Sequence, residues 1–345
     1  GRSTQPQAPD RGTAVRLQRN GNYKVVAEGL RTPNGLGRGP GRNIYIADNQ
    51  GDWVPVSKIV KLEDGAFYGS QAVLGDAAAN RKVSPPVVWL PQGEIGNSPT
   101  EIILIPNGPY AGQMAHGDVT HGGLKRVFVE QIEDVEQGAV FRFTQGLEGG
   151  SNRVSVGPDG GIYVGGIGST GNWGQEGKKW YGLDRLRPNE TIAFEMLAVR
   201  AMSNGLELEF TEPIADFVGA SPQHYVATQY RYEPTEEYGG PKIDERLLPI
   251  KSANVSEDRR KVFIELDEME AGSVIHVRLI GPWKSNDDKE PWTTEAWYTM
   301  NKIPQDRSGH VQSNDADNTM NQLTKREQAE GWELLFDGRT TKGWR

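Results

Sequence analysis

An all-β chain is what this sequence predicts, and three observations carry the prediction. Of its 345 residues, 43 are glycine and 21 proline, a large stock of turn-formers. The glycines are concentrated: 33 fall in residues 1–190, about one in six. Each would cost about 0.5–1 kcal/mol inside a helix. Between the turn clusters lie short runs rich in β-branched and aromatic residues, the pattern of strands joined by tight turns. A helical bundle is excluded. So is a doubly wound α/β fold, because residues 1–190 offer no helical stretch of the length a crossover needs. No strict glycine period supports collagen, and 9 Trp, 11 Tyr and 9 Phe argue against disorder.

Taken in order, residues 1–22 read as a polar, flexible tail. Strands are expected at Lys24–Ala27, Asn43–Ala47 and Ser57–Leu62. An internal repeat follows. Gly39-Pro40-Gly41-Arg42-Asn43-Ile44-Tyr45-Ile46 returns 118 residues later as Gly157-Pro158-Asp159-Gly160-Gly161-Ile162-Tyr163-Val164. Asn34 and Asn152 precede the two Gly-Pro turns by the same distance. A second echo, Gly123-Leu124-Lys125-Arg126 against Gly182-Leu183-Asp184-Arg185, is offset by 59, half of 118. A unit of that size is a small antiparallel sheet, and stacked units of this kind make a β-propeller. About three units fit into 23–190. A closed ring needs roughly 4–8 blades, so the sequence predicts a partial propeller, completed by another chain or segment.

Composition changes near Pro188. Over 191–304 glycine thins and alternation sharpens, in Gly205–Phe210, Lys261–Leu266 and Val274–Ile280. The Gly-Pro turn signature vanishes, which disfavours further blades and favours an immunoglobulin-like β-sandwich. Residues 305–345 read as a polar linker, a capping box at Thr324 and Glu327, and the first strand of a further domain.

The net charge is −8, which argues against a nucleic-acid or anionic-membrane surface. Zero cysteines exclude disulfides and thiolate chemistry. No apolar run approaches the roughly 20 residues of a membrane span.

Several stretches resemble one bacterial family. Gly29-Leu30-Arg31-Thr32-Pro33-Asn34-Gly35-Leu36, the loop Asp48–Trp53 and Asn152-Arg153-Val154 are similar to soluble pyrroloquinoline-quinone (PQQ) sugar dehydrogenases. The run from Trp89 to Phe143 resembles secreted proteins that place such a propeller before an immunoglobulin-like module and a 3-keto-disaccharide hydrolase domain. Gly331–Trp344 is similar to the opening strand of that hydrolase. The resemblance implies a carbohydrate-related protein that is periplasmic, cell-surface or secreted, with a sugar or glycoside ligand. It also implies that PQQ and calcium are its cofactors. The blades carrying the family's base histidine are not matched, so the isolated chain is expected to be inactive as a dehydrogenase. A non-catalytic structural or sugar-binding subunit is the alternative.

The resemblance assigns Arg31 and Arg153 to the quinone carboxylates, which suit bidentate guanidinium groups; otherwise each pairs with a neighbouring blade's carboxylate. Asp48, Gln50, Gly51 and Asp52 would supply calcium with oxygen ligands, or form a polar hairpin turn. Trp53 would stack on a ring ligand, or pack. Asn34 joins the cofactor residues. With Asp48 it also resembles the ligand pair of calcium-dependent lactonase-type propellers, where the metal activates water. His121 is the candidate catalytic base. His116, five residues earlier, would face the opposite side of a strand and share no metal with it unless Gly117 makes a bulge. Trp173, Trp180 and Tyr181 are sugar-stacking platforms or blade caps.

Overall fold

The computed structural model describes residues 8, 10–72, 74–78, 80–169, 173–189, 191–309 and 331. Among these are twenty-one strands and no α-helix. The all-β prediction holds.

The first pair is β1 (Ala14–Leu17) with β2 (Tyr23–Ala27), antiparallel. This corrects the expectation of a tail up to residue 22. Leu30 N donates to Gly12 O at 2.9 Å and anchors the chain ahead of β1. Ala14 then pairs with Ala27 and packs against the small core that holds Ile46 and Val60.

Three antiparallel meanders follow. The first blade is β3 (Pro33–Arg38), β4 (Ile44–Asp48), β5 (Ser57–Lys61) and β6 (Val88–Leu90). The second is β7 (Pro99–Leu104), β8 (Met114–Asp118), β9 (Leu124–Ile132) and β10 (Val135–Arg142). The third has three strands, β11 (Gly150–Val156), β12 (Ile162–Ile167) and β13 (Tyr181–Leu186). Both sequence echoes fall where this order requires. The two Gly-Pro turns join first to second strands of the first and third blades. The Gly-Leu-x-Arg motifs lie in third strands, at the start of β9 and within β13.

The blades meet through their innermost strands, β3, β7 and β11. A Cβ on Gly35 would lie 2.1 Å from Thr100 O, and one on Gly37 1.9 Å from Ile102 O. Glycine is thus required here by close backbone approach, not by φ. Thr100 Oγ1 donates to Ser151 O at 2.9 Å, tying β7 to β11. The described blades form an arc of a propeller.

The rest of the described chain comprises β14 (Met196–Met202), β15 (Gly205–Phe210), β16 (Tyr225–Arg231), β17 (Ile243–Leu247), β18 (Ile250–Val255), β19 (Lys261–Leu266), β20 (Ser273–Leu279) and β21 (Glu295–Met300). They form two groups, β14-β15-β19-β18 and β17-β16-β20-β21. The sequence did not show that β21 also pairs with β10, with Val140 opposite Trp297. One eight-stranded sheet, β17-β16-β20-β21-β10-β9-β8-β7, therefore runs through the second blade and across the expected boundary at residue 190.

Alternation along this sheet explains the packing. Ala139, Phe141, Ile275, Val277, Ala296 and Tyr298 face the β14-β15-β19-β18 sheet, where Leu206, Leu208, Phe210 and Ile264 complete one core. Their neighbours Val140, Val274 and Trp297 face the other way, onto Tyr45, Ile59 and Leu90 of the first blade. A third core joins the second and third blades through Ile103, Leu124, Val154 and Val164. Beyond Gly309, the expected linker, capping box and hydrolase-like strand lie outside the described residues.

Candidate functional site

In an antiparallel meander, the turn after the first strand and the turn after the second lie at opposite ends. The expected site residues gather at one end, where first strands begin and second strands finish.

A buried aspartate ends the second strand of two blades. Asp48 is 0 % exposed and accepts from Arg31 N at 3.0 Å and Thr32 N at 2.8 Å. Asp118, also 0 % exposed, accepts four amides: Asn97 at 2.8 Å, Ser98 at 3.0 Å, Thr120 at 3.1 Å and His121 at 2.7 Å. Each has a buried lysine on the next strand, Lys58 and Lys125. Burial raises the Asp48 carboxyl, against the pull of Lys58. Burial also lowers both ammonium groups, Lys125 to about 8. In the third blade Ile167 ends the second strand instead. Sequence reasoning missed this device. The signal was present, an Asp closing one strand and a Lys on the next, but it emerges only once the blades are aligned.

The 48–53 loop packs against residues 235–240. Gln50 Nε2 donates to Pro55 O at 2.9 Å. Gly51 N donates to Val54 O at 2.9 Å, and Asp52 is buried where it bridges to Tyr238. Trp53, at φ 64°, donates its amide to Thr235 O at 2.8 Å. Both Asp48 oxygens are used by backbone amides, and Gln50 turns its amide donor inward. Among the described residues, no group of three or more His, Asp or Glu is placed to hold a metal. These residues do not fit the calcium site that the resemblance implies.

The arginines are engaged as well. The Arg31 guanidinium lies over the Tyr238 ring, 4.9 Å from its centroid, and its Nε is sealed without a hydrogen bond. A Cβ on Gly51 would sit 1.9 Å from that Nε, so this packing needs glycine. Arg153 Nε lies 3.5 Å from Glu101 Oε2 of the neighbouring blade, and its Nη1 donates to Asn34 O at 3.1 Å. Arg31 thus lies against a ring face, and Arg153 is shared between a carboxylate and a carbonyl. Asn34 Nδ2 donates to Asn152 Oδ1 at 3.1 Å. The two repeat-equivalent asparagines thus meet directly, and Asn34 is engaged separately from Asp48. What remains open is a polar rim of Asn34, Asn152, Glu101 and Arg153, the last with its side chain 56 % exposed.

His116 is fully buried, with Nδ1 2.9 Å from Gly117 O and no partner at Nε2. His121 is half-buried in the turn after β8, its Nδ1 likewise without a partner. Burial, and next Lys125 for His121, hold it at about 4; burial holds His116 at about 4. Both are neutral in the folded protein, whereas the unfolded chain takes up protons below about 6.5. Their contribution is therefore full above that value and is lost as pH falls towards 4. For His116 the loss is about 3 kcal/mol. Thermal melts at pH 7 and pH 4.5 should show this loss, and His116→Asn should reduce it. Equal slopes for wild type and variant would refute the assignment.

Trp173, Trp180 and Tyr181 are 56 %, 65 % and 77 % exposed. The chain matches no protein-family model and no curated protein. Among solved structures it is similar to an oxidoreductase described as a glucose dehydrogenase from Thermus thermophilus. There the identity is 21 %, with 47 % of this chain and 45 % of that one covered, at a TM-score of 0.33. It is also similar to the PQQ-bound aldose sugar dehydrogenase of Streptomyces coelicolor. There the identity is 17 %, with coverage of 51 % and 52 %, at a TM-score of 0.38. The chain spans about half the length of both.

Proposed function

We propose that this chain is the carbohydrate-recognising part of an extracytoplasmic propeller protein, and that it does not oxidise sugar by itself. The observation that carries this reading is the rim of Asn34, Asn152, Glu101 and Arg153. Planar amide, carboxylate and guanidinium groups offer paired donors and acceptors that match neighbouring sugar hydroxyls. The exposed Trp173, Trp180 and Tyr181 supply rings for stacking on apolar sugar faces. Asp48, Gln50 and Arg31, by contrast, are spent on backbone amides, a carbonyl and a ring face. The two-sheet segment after residue 191 is read as an immunoglobulin-like support. The open β13 edge, with Tyr181 and Leu183 exposed, is where a partner chain or further segment adds.

Calorimetric titration with aldoses, with and without PQQ and calcium, tests the proposal. Binding is expected to be insensitive to both additions and to weaken about tenfold in Arg153→Ala, the loss of one charge-assisted hydrogen bond. Dye reduction in the presence of PQQ, or unchanged affinity in Arg153→Ala, would overturn it.

A further inference from the structure

The other end of the blades carries a site that the repeat does not anticipate. The hairpin between first and second strands spans residues 39–43 in the first blade and 157–161 in the third, but 105–113 in the second. The longer hairpin carries Tyr110 to the wall of a cleft of about 490 Å3, lined also by Phe143, Leu186, Ile192, Glu195 and Trp292. Sites for small molecules have this size and this mostly apolar lining.

A polar group lies buried in this wall. Glu195 is 1 % exposed. Tyr110 donates its hydroxyl to Glu195 Oε1. Oε2 has no hydrogen-bond partner. Arg126, fully buried, sits 3.6 Å from Oε2, too far for a hydrogen bond but near enough to balance the charge. Its Nη1 and Nη2 donate elsewhere, to Gln113 Oε1 at 2.6 Å, Leu197 O at 2.7 Å and Met196 O at 2.6 Å, and its Nε has no partner. Burial holds the Glu195 carboxyl above its ordinary range. A buried acceptor with a free lone pair calls for a ligand donor. Because Arg126 already neutralises it, an uncharged hydroxyl suits better than a cation. The body of the ligand meets rings: Tyr110 and Phe143 pack edge to face at 5.3 Å, and Trp292, 49 % exposed, stands with its indole N–H on Phe143 O at 3.2 Å. Aromatic surfaces of this kind favour an aromatic guest.

We propose that the cleft binds a phenolic ring, free or carried as the hydroxyphenyl group of a glycoside, whose hydroxyl donates to Glu195 Oε2. The site is separate from the Arg153 rim and stands or falls independently of it.

Calorimetry on the full chain tests this with phenol, anisole, 4-hydroxyphenyl β-glucoside and glucose. Phenol should bind about tenfold more tightly than anisole, which has the ring but no donor. Glucose should not compete. A glucoside that binds more tightly than phenol identifies the carried ring as the ligand; one that binds no better identifies the free ring. In Glu195→Gln the amide presents a donor in place of the acceptor, so the preference for phenol over anisole should collapse to about one. Ile192→Trp fills the wall without touching the Glu195 bonds. It should abolish phenol binding while the thermal melt is retained, which keeps the test decisive if Glu195→Gln does not fold. Equal binding of phenol and anisole by wild type, no phenol binding, or phenol binding that survives Ile192→Trp would overturn the proposal.

Discussion

Replacing Arg126 with methionine is expected to cost about 3–5 kcal/mol of folding stability, the range for breaking a buried ion pair from one side. The cost arises mainly from what is left behind. Arg126 is fully buried and its guanidinium lies 4.6 Å from the Tyr110 centroid and 4.3 Å from that of Phe141. Met196 O and Leu197 O lose their donor, and Glu195 keeps a charge without compensation. A methionine of similar reach restores some packing but none of these bonds. Urea unfolding would measure the loss. The double variant Arg126→Met/Glu195→Leu should recover only the share due to the uncompensated Glu195 charge, because Met196 O and Leu197 O still lack their donor. Recovery of nothing would show that the loss is one of packing rather than charge.

Asp118→Ala should be comparably severe, at about 3–5 kcal/mol, because it strips the acceptor from four backbone amides and the counter-charge from buried Lys125. Asp118→Asn keeps one acceptor oxygen and should lose about half as much. The first amides to lose hydrogen-exchange protection should be those of Asn97, Ser98, Thr120 and His121. If those four stay protected in Asp118→Ala, the aspartate is not what holds the turn.

The all-β class, the repeat and most strands were legible because they are written locally. Val25 and Ala27, Ile44 and Ile46, and Leu206 and Leu208 recur at every second position within single strands. The Gly-Pro turns recur because two blades share a five-residue hairpin. What escaped depends on residues far apart. Tyr110 meets Glu195 across 85 positions, and Arg126 meets Met196 O across 70. The residues named for the site do gather at one end of the strands, but the partners their side chains meet could not be read from the sequence. Asp48 lies where a ligand-binding carboxylate was expected, yet loop amides reach it first. Residue type could not decide this, because a carboxylate that caps a turn and one that binds a metal use the same oxygens. Asn34 and Asn152 hold equivalent places in the repeat, but that they touch emerges only from the packing of the first strands against one another.

The pairing of β10 with β21 also bears on how the chain is made. Val140 leaves the ribosome 157 residues before its partner Trp297. At about 5–20 residues per second, that separation lasts roughly 8–30 seconds. Throughout it the second blade holds an open edge, and the apolar face of β10 that later meets Leu208 and Phe210 has nothing to cover it. A nascent chain in this state has every reason to pair with the wrong strand. The sheet that gives the finished protein its continuity is therefore also the step at which its synthesis is most exposed to aggregation.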